Sequence, residues 1–188
     1  SWEDREYAHV ITLAQTDVGL TLTPLRPLWL DTERPVLTVK AATLAGAATT
    51  RSVRLTTALL TNGSQLPGET RDLTIAAEGT LRTELPKLRP GTHLVRVTTL
   101  ASSGDTVSAE TRIRIAGPGD PDKVFILPAE TELDSGKPLR LRLFSRLPRA
   151  QAALVTFERD RVVSQRSIIL PPGESSLAFT PDEKLAPE

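Results

Sequence analysis

Only two imidazoles, His9 and His93, offer acid–base or metal-binding chemistry, and the chain contains no cysteine and no methionine. Each histidine sits inside an alternating strand-like run with no second histidine at ligand spacing. A zinc site or a general base needs converging partners, so both are read as surface or half-buried strand residues. Without cysteine there is no thiolate site, no disulfide and no sulfur nucleophile. Serines are frequent, but none falls in a G-x-S-x-G or S-x-x-K pattern, and no glycine motif for phosphates or dinucleotides is present. The expectation is a protein that is not an enzyme, with no catalytic residue, no cofactor and no metal requirement. If an ion were held, the carboxylates of Asp120 and Asp122 have the oxygen ligands calcium prefers.

Two polar segments are candidates for binding. The first is Gly63, Ser64, Gln65, Leu66, Pro67, Gly68, Glu69, Thr70 and Arg71, a Pro/Gly-containing run expected to be a protease-sensitive loop, because flexible polar loops are where chains are nicked. An ordinary hairpin connection explains the same residues. The second is Glu158, Arg159, Asp160 and Arg161, alternating charges at an expected hairpin tip, read as either self-paired solvated charge or a partner-docking site. Asn62-Gly63-Ser64 matches the N-glycosylation pattern, although Asn-Gly also suits a tight type I′ turn without any sugar.

These segments need a framework, and the pattern of the chain supplies one. In Leu139-Arg140-Leu141-Arg142-Leu143 the leucines share one face and the arginines the other, the period of a half-buried strand. The same period recurs at Val53 and Leu55, Val95 and Val97, and Ile113 and Ile115. Val39, Val95, Val97, Ile113 and Ile115 are expected in the core of the first half and Leu139, Leu141, Leu143, Val155 and Phe157 in that of the second, with the arginines between them wet. Strands are expected near 8–14, 18–23, 35–44, 51–60, 70–76, 79–85, 92–100 and 106–116, then 122–127, 137–144, 152–158, 161–170 and 174–180. Fifteen prolines, eleven glycines and many β-branched residues work against long helices. Turns are expected at Asn62-Gly63, Glu78-Gly79 and Ser103-Gly104-Asp105, with Arg89-Pro90-Gly91 opening a strand.

Lys plus Arg equal Asp plus Glu at 23 each, so no global field would draw the chain to nucleic acid. No apolar run approaches the roughly 20 residues of a membrane-crossing helix, so neither nucleic-acid binding nor direct membrane insertion is expected. Periodicity stops at Gly117-Pro118-Gly119-Asp120-Pro121, which predicts a domain boundary. The fold expected is all-β, with two consecutive antiparallel β-sandwich domains at 1–116 and 122–188 and a linker at 117–121. Because 122–188 supplies about five strands where a full sandwich of this kind has roughly seven, the second domain is expected to be incomplete. The absence of any methionine is what an internal fragment of a longer protein would show.

Residues 152–170, AALVTFERDRVVSQRSIIL, resemble the signature hairpin of a macroglobulin domain in the bacterial alpha-2-macroglobulin family, where an A-L-V-T-x-E-R-D-G-V pattern recurs. The lead-in from Asp122 to Pro138 is similar to that domain's opening strand and turn, although Leu133 stands where the usual tyrosine would. Pro90 to Val95 and Gly104 to Gly117 resemble the closing hairpin of a preceding macroglobulin domain. The resemblance implies a non-catalytic scaffold fragment of a protease-trapping inhibitor located outside the cytoplasm, periplasmic or secreted. Its partners would be proteases or neighbouring domains of the parent protein, with the bait segment in the upstream domain, for which 63–71 is the candidate. The family's thioester requires cysteine and cannot be formed by these residues. The alternatives are a tandem Ig-like or fibronectin-like module of an adhesin or stalk, or accessory β-domains of a secreted enzyme.

Overall fold

The computed structural model describes residues 16–128, 138–158 and 162–179. His9 and the strand expected at 8–14 lie outside them. Every regular element among the described residues is a strand. Among the described residues, eight strands precede residue 117: β1 (Val18–Pro24), β2 (Leu28–Leu30), β3 (Val36–Thr43), β4 (Arg51–Thr61), β5 (Ser64–Ile75), β6 (Thr80–Glu84), β7 (Gly91–Leu100) and β8 (Thr106–Ala116). They form a three-stranded sheet ordered β1-β3-β6 and a five-stranded sheet ordered β2-β8-β7-β4-β5.

These two sheets face each other across one core. Leu37, Val39 and Ala41 of β3 meet Val53 and Leu55 of β4, Val95 and Val97 of β7, and Ile113 and Ile115 of β8. Burial alternates strictly along β7 and along the centre of β4, because successive side chains leave a strand on opposite faces. The expected first core, Val39, Val95, Val97, Ile113 and Ile115, is 1% exposed or less. The turns follow their residues: Asn62 and Gly63 both have positive φ, 36° and 85°, as a type I′ hairpin demands.

Two features depart from the expected pattern. Pairing is antiparallel except for β2, which runs parallel to β8 through Leu28↔Arg114, Trp29↔Ile115 and Leu30↔Ala116. A strand of three residues between prolines shows no period, so it escapes a sequence reading. The second feature is β5, which begins at Ser64 rather than near residue 70. It pairs with β4 from Thr61↔Ser64 onward, with the register shifting between Thr56 and Ala58. There Thr57 faces two residues, Gly68 and Glu69, and its Oγ1 accepts the Glu69 N–H at 2.9 Å. A Cβ on Gly68 would stand 2.4 Å from that oxygen, so the bulge requires glycine. Pro67 sits beside it, on an edge strand, where a missing N–H is tolerated.

The rest of the chain forms β9 (Val124–Pro128), β10 (Leu139–Ser145), β11 (Gln151–Glu158), β12 (Val162–Leu170) and β13 (Gly173–Phe179). They make a sheet ordered β13-β10-β9 and a hairpin β11-β12. Leu141 and Leu143 are buried while Arg140 is exposed, so the expected register of β10 holds. Phe157 of the hairpin stacks on Phe179 of the sheet, centroids 3.7 Å apart and planes at 12°. Val155, Phe157 and Leu139, expected in this core, are only half-buried, as is Arg142, expected to be wet.

Candidate functional site

The protease-sensitive segment expected as a loop is not one: Ser64 to Arg71 belong to β5. Hydrogen bonding to β4 on one side accounts for this, since Asn62-Gly63 alone completes the reversal and pairing resumes at Thr61↔Ser64. Residues 64–68 are exposed along this edge. Arg71 is half-buried, its Nε 2.9 Å from Glu69 Oε1 while its Nη2 donates to the Glu84 carbonyl at 2.7 Å. That bond ties the edge of the five-stranded sheet to β6 of the opposite sheet. Around it lies a shallow open cleft of about 460 Å³, lined by Arg34, Glu69, Arg71, Arg82 and Glu84. Three guanidiniums and two carboxylates give it mixed charge, with Arg34 3.9 Å from Glu84.

Of the charged hairpin tip, Glu158 ends β11, and Arg159, Asp160 and Arg161 lie outside the described residues. His93 is buried, with Nε2 2.8 Å from the Arg89 carbonyl oxygen. One of its two ring nitrogens is thus engaged by backbone, and it faces inward rather than lying at the surface. Asp120 and Asp122 both accept from Arg114 Nη2, at 2.6 and 2.8 Å, so an arginine already occupies the place a cation would take. Among the described residues no three His, Asp or Glu groups converge as a metal site, and no helix is long and apolar enough to cross a membrane.

A further polar cluster among the described residues has no counterpart in the sequence pattern. It lies where the first sandwich meets the β13-β10-β9 sheet, on an apolar seam of Leu30, Ala116, Phe125 and Leu127. Arg26 is buried, its guanidinium 4.0 Å from the Trp29 ring centroid and 2.6 Å from Glu33. The Trp29 Nε1–H donates to the Arg26 carbonyl at 2.9 Å. Burial pushes the Glu33 carboxyl up, but the Leu30 N–H, Arg26 and Arg142 more than offset it and leave it below the usual range. At the far rim of the sandwich, Asp17 accepts from Ser102 Oγ, Ser102 N and Arg51. These bonds, Ser102's first, lower its pKa to about 2. The sequence signal that could have drawn attention to the seam is β9, Val-Phe-Ile-Leu, which is apolar on both faces and so calls for cover on both.

The chain matches no protein-family model and no curated protein sequence. Similar solved structures include native Escherichia coli alpha-2-macroglobulin, with 12% identity and a TM-score of 0.43 over 87% of this chain and 14% of that one. Salmonella alpha-2-macroglobulin reacted with methylamine gives 12% and 0.47, over 90% of this chain and 15% of that one. Red sea bream transglutaminase gives 15% and 0.42, over 88% and 27%. The chain therefore spans a small part of each. The fold class is all-β among the described residues, with two sheets packed on one core in the first half, so the chain contains a β-sandwich module.

Proposed function

We propose that this module is a non-catalytic scaffold piece of a bacterial alpha-2-macroglobulin-like protease-trapping inhibitor that acts outside the cytoplasm. Its units are 1–116 and 122–188, joined by 117–121, and its partners are proteases and neighbouring domains of the parent protein. The observation that carries this reading is the β11-β12 hairpin. Its sequence, 152–170, bears the closest resemblance to the family signature, and it folds as a paired hairpin from Gln151↔Leu170 inward. The hairpin turns Val155 and Phe157 toward the β13-β10-β9 sheet and leaves Leu154 and Ile169 at the surface. A role built on shape rather than chemistry is also supported by His93, which is held by a backbone carbonyl, and by Asp120 and Asp122, which both pair with Arg114.

The test is made on the parent protein. After incubation with trypsin, the protease should retain hydrolysis of a small chromogenic peptide and lose most hydrolysis of a large protein substrate, because enclosure excludes by size. Equal retention of both activities would overturn the trapping role and favour the adhesin or stalk alternative.

A further inference from the structure

The glycines and prolines of 117–121 would by themselves allow the two halves to swing, the default for domains joined by a short linker. Two arginines of one segment act against that freedom. Arg142, on β10, places Nη1 3.1 Å from Glu33 Oε1 of the first sandwich. Its other edge donates to Glu174 of β13 through Nε at 2.7 Å and Nη2 at 3.0 Å. Glu33 is itself pinned by Arg26 at 2.6 Å and by the Leu30 N–H at 2.9 Å, so Arg142 meets a fixed acceptor. Arg146 donates Nη1 to the Gly117 carbonyl and Nη2 to the Ala116 carbonyl. Its guanidinium lies 5.1 Å from the Phe125 ring centroid and 5.7 Å from that of Phe144.

We infer that Arg142 and Arg146 form a two-point clasp that fixes the angle between the first sandwich and the β13-β10-β9 sheet, making 117–121 an anchored bracket rather than a hinge. One contact would leave a pivot. Two contacts four residues apart, roughly 13 Å at 3.3 Å per residue, oppose rotation about either. The apolar seam of Leu30, Ala116, Phe125 and Leu127 lies against the same junction, and Arg146, 16% exposed against 35% for Arg142, is the drier of the two points, where a hydrogen bond is stronger. Arginine suits each point because its planar fork serves two acceptors at once and stacks on aromatic faces, which a lysine ammonium does not. The inference is independent of what the parent protein traps or binds.

Because the chain has no cysteine, Thr80→Cys and Ala150→Cys, both exposed, give one unambiguous pair of spin labels in the full chain. Their distance distribution should broaden about twofold in Arg142→Met/Arg146→Met, as expected once domain motion is released. It should keep its width in Arg140→Met, which removes an exposed arginine from the same strand. An unchanged width in the double variant overturns the clasp. Should that variant lose its strand circular dichroism, Arg146→Lys supplies the decision, since it retains charge and leaves Arg142 in place. A broader distribution in this variant supports the clasp, and an unchanged one overturns it.

Discussion

β7 of the first sandwich and β10 of the second sheet carry the same alternating pattern, yet their surroundings differ. The inward residues of β7, Val95 and Val97, are fully buried between a five-stranded and a three-stranded sheet. The inward residues of β10, Leu141 and Leu143, are 8% and 3% exposed. Ile126 and Val124, their neighbours on the same face of β9, are 52% and 41% exposed, because the opposing layer there is a two-stranded hairpin. Alternation decides which face turns inward. Whether that face is covered depends on how many strands stand opposite it.

If this contrast is right, the largest effect belongs to the closed core. Leu55→Ala, at a site with no exposure, should cost about 2–5 kcal/mol in urea unfolding, the range for a leucine truncated in a packed interior. A loss no greater than that of a surface substitution would mean the first core is not the tighter one.

Proteolysis sharpens the same comparison. Arg149 lies exposed in the connection between β10 and β11, whereas Arg71 is held in β5 by Glu69 and the Glu84 carbonyl. Limited trypsin digestion should cut after Arg149 roughly tenfold faster than after Arg71, since cleavage follows local opening. Mass spectrometry of the earliest fragments decides it, and a first cut at Arg71 would favour the protease-sensitive reading of that segment.

The smallest effect concerns the joint between the hairpin and its sheet. A double-mutant cycle of Phe157→Leu and Phe179→Leu should give a coupling of about 0.5–1.5 kcal/mol, the usual worth of an aromatic pair beyond its area. A coupling of zero would show that β11-β12 packs on the sheet by burial alone.

The faces of β4, β7, β8 and β10 were legible in the sequence because each has one wet and one dry face. The Asn62-Gly63, Glu78-Gly79 and Ser103-Gly104 reversals were legible because left-handed backbone selects glycine and asparagine. The beginning of β5 was hidden, since Gln65, Pro67 and Gly68 lack strand propensity and are held by pairing with β4. β2 depends on β8, more than eighty residues away in sequence. The junction was illegible for a related reason: Gly-Pro-Gly-Asp-Pro reads as slack, and only the fold brings Arg146 to its carbonyls.

The bulge at Gly68 and Glu69, with Pro67 beside it, bears on how such a protein behaves when crowded. β5 is a long outer strand, and an outer strand offers unpaired amides that a second molecule could extend into a continuous sheet. Proline removes one of those amides, and the extra residue beside it twists the strand away from the flat geometry that edge-to-edge growth needs. The residues that spoil the strand thus guard its open edge, and a substitution that regularised β5 would lay that edge flat for pairing with a second molecule.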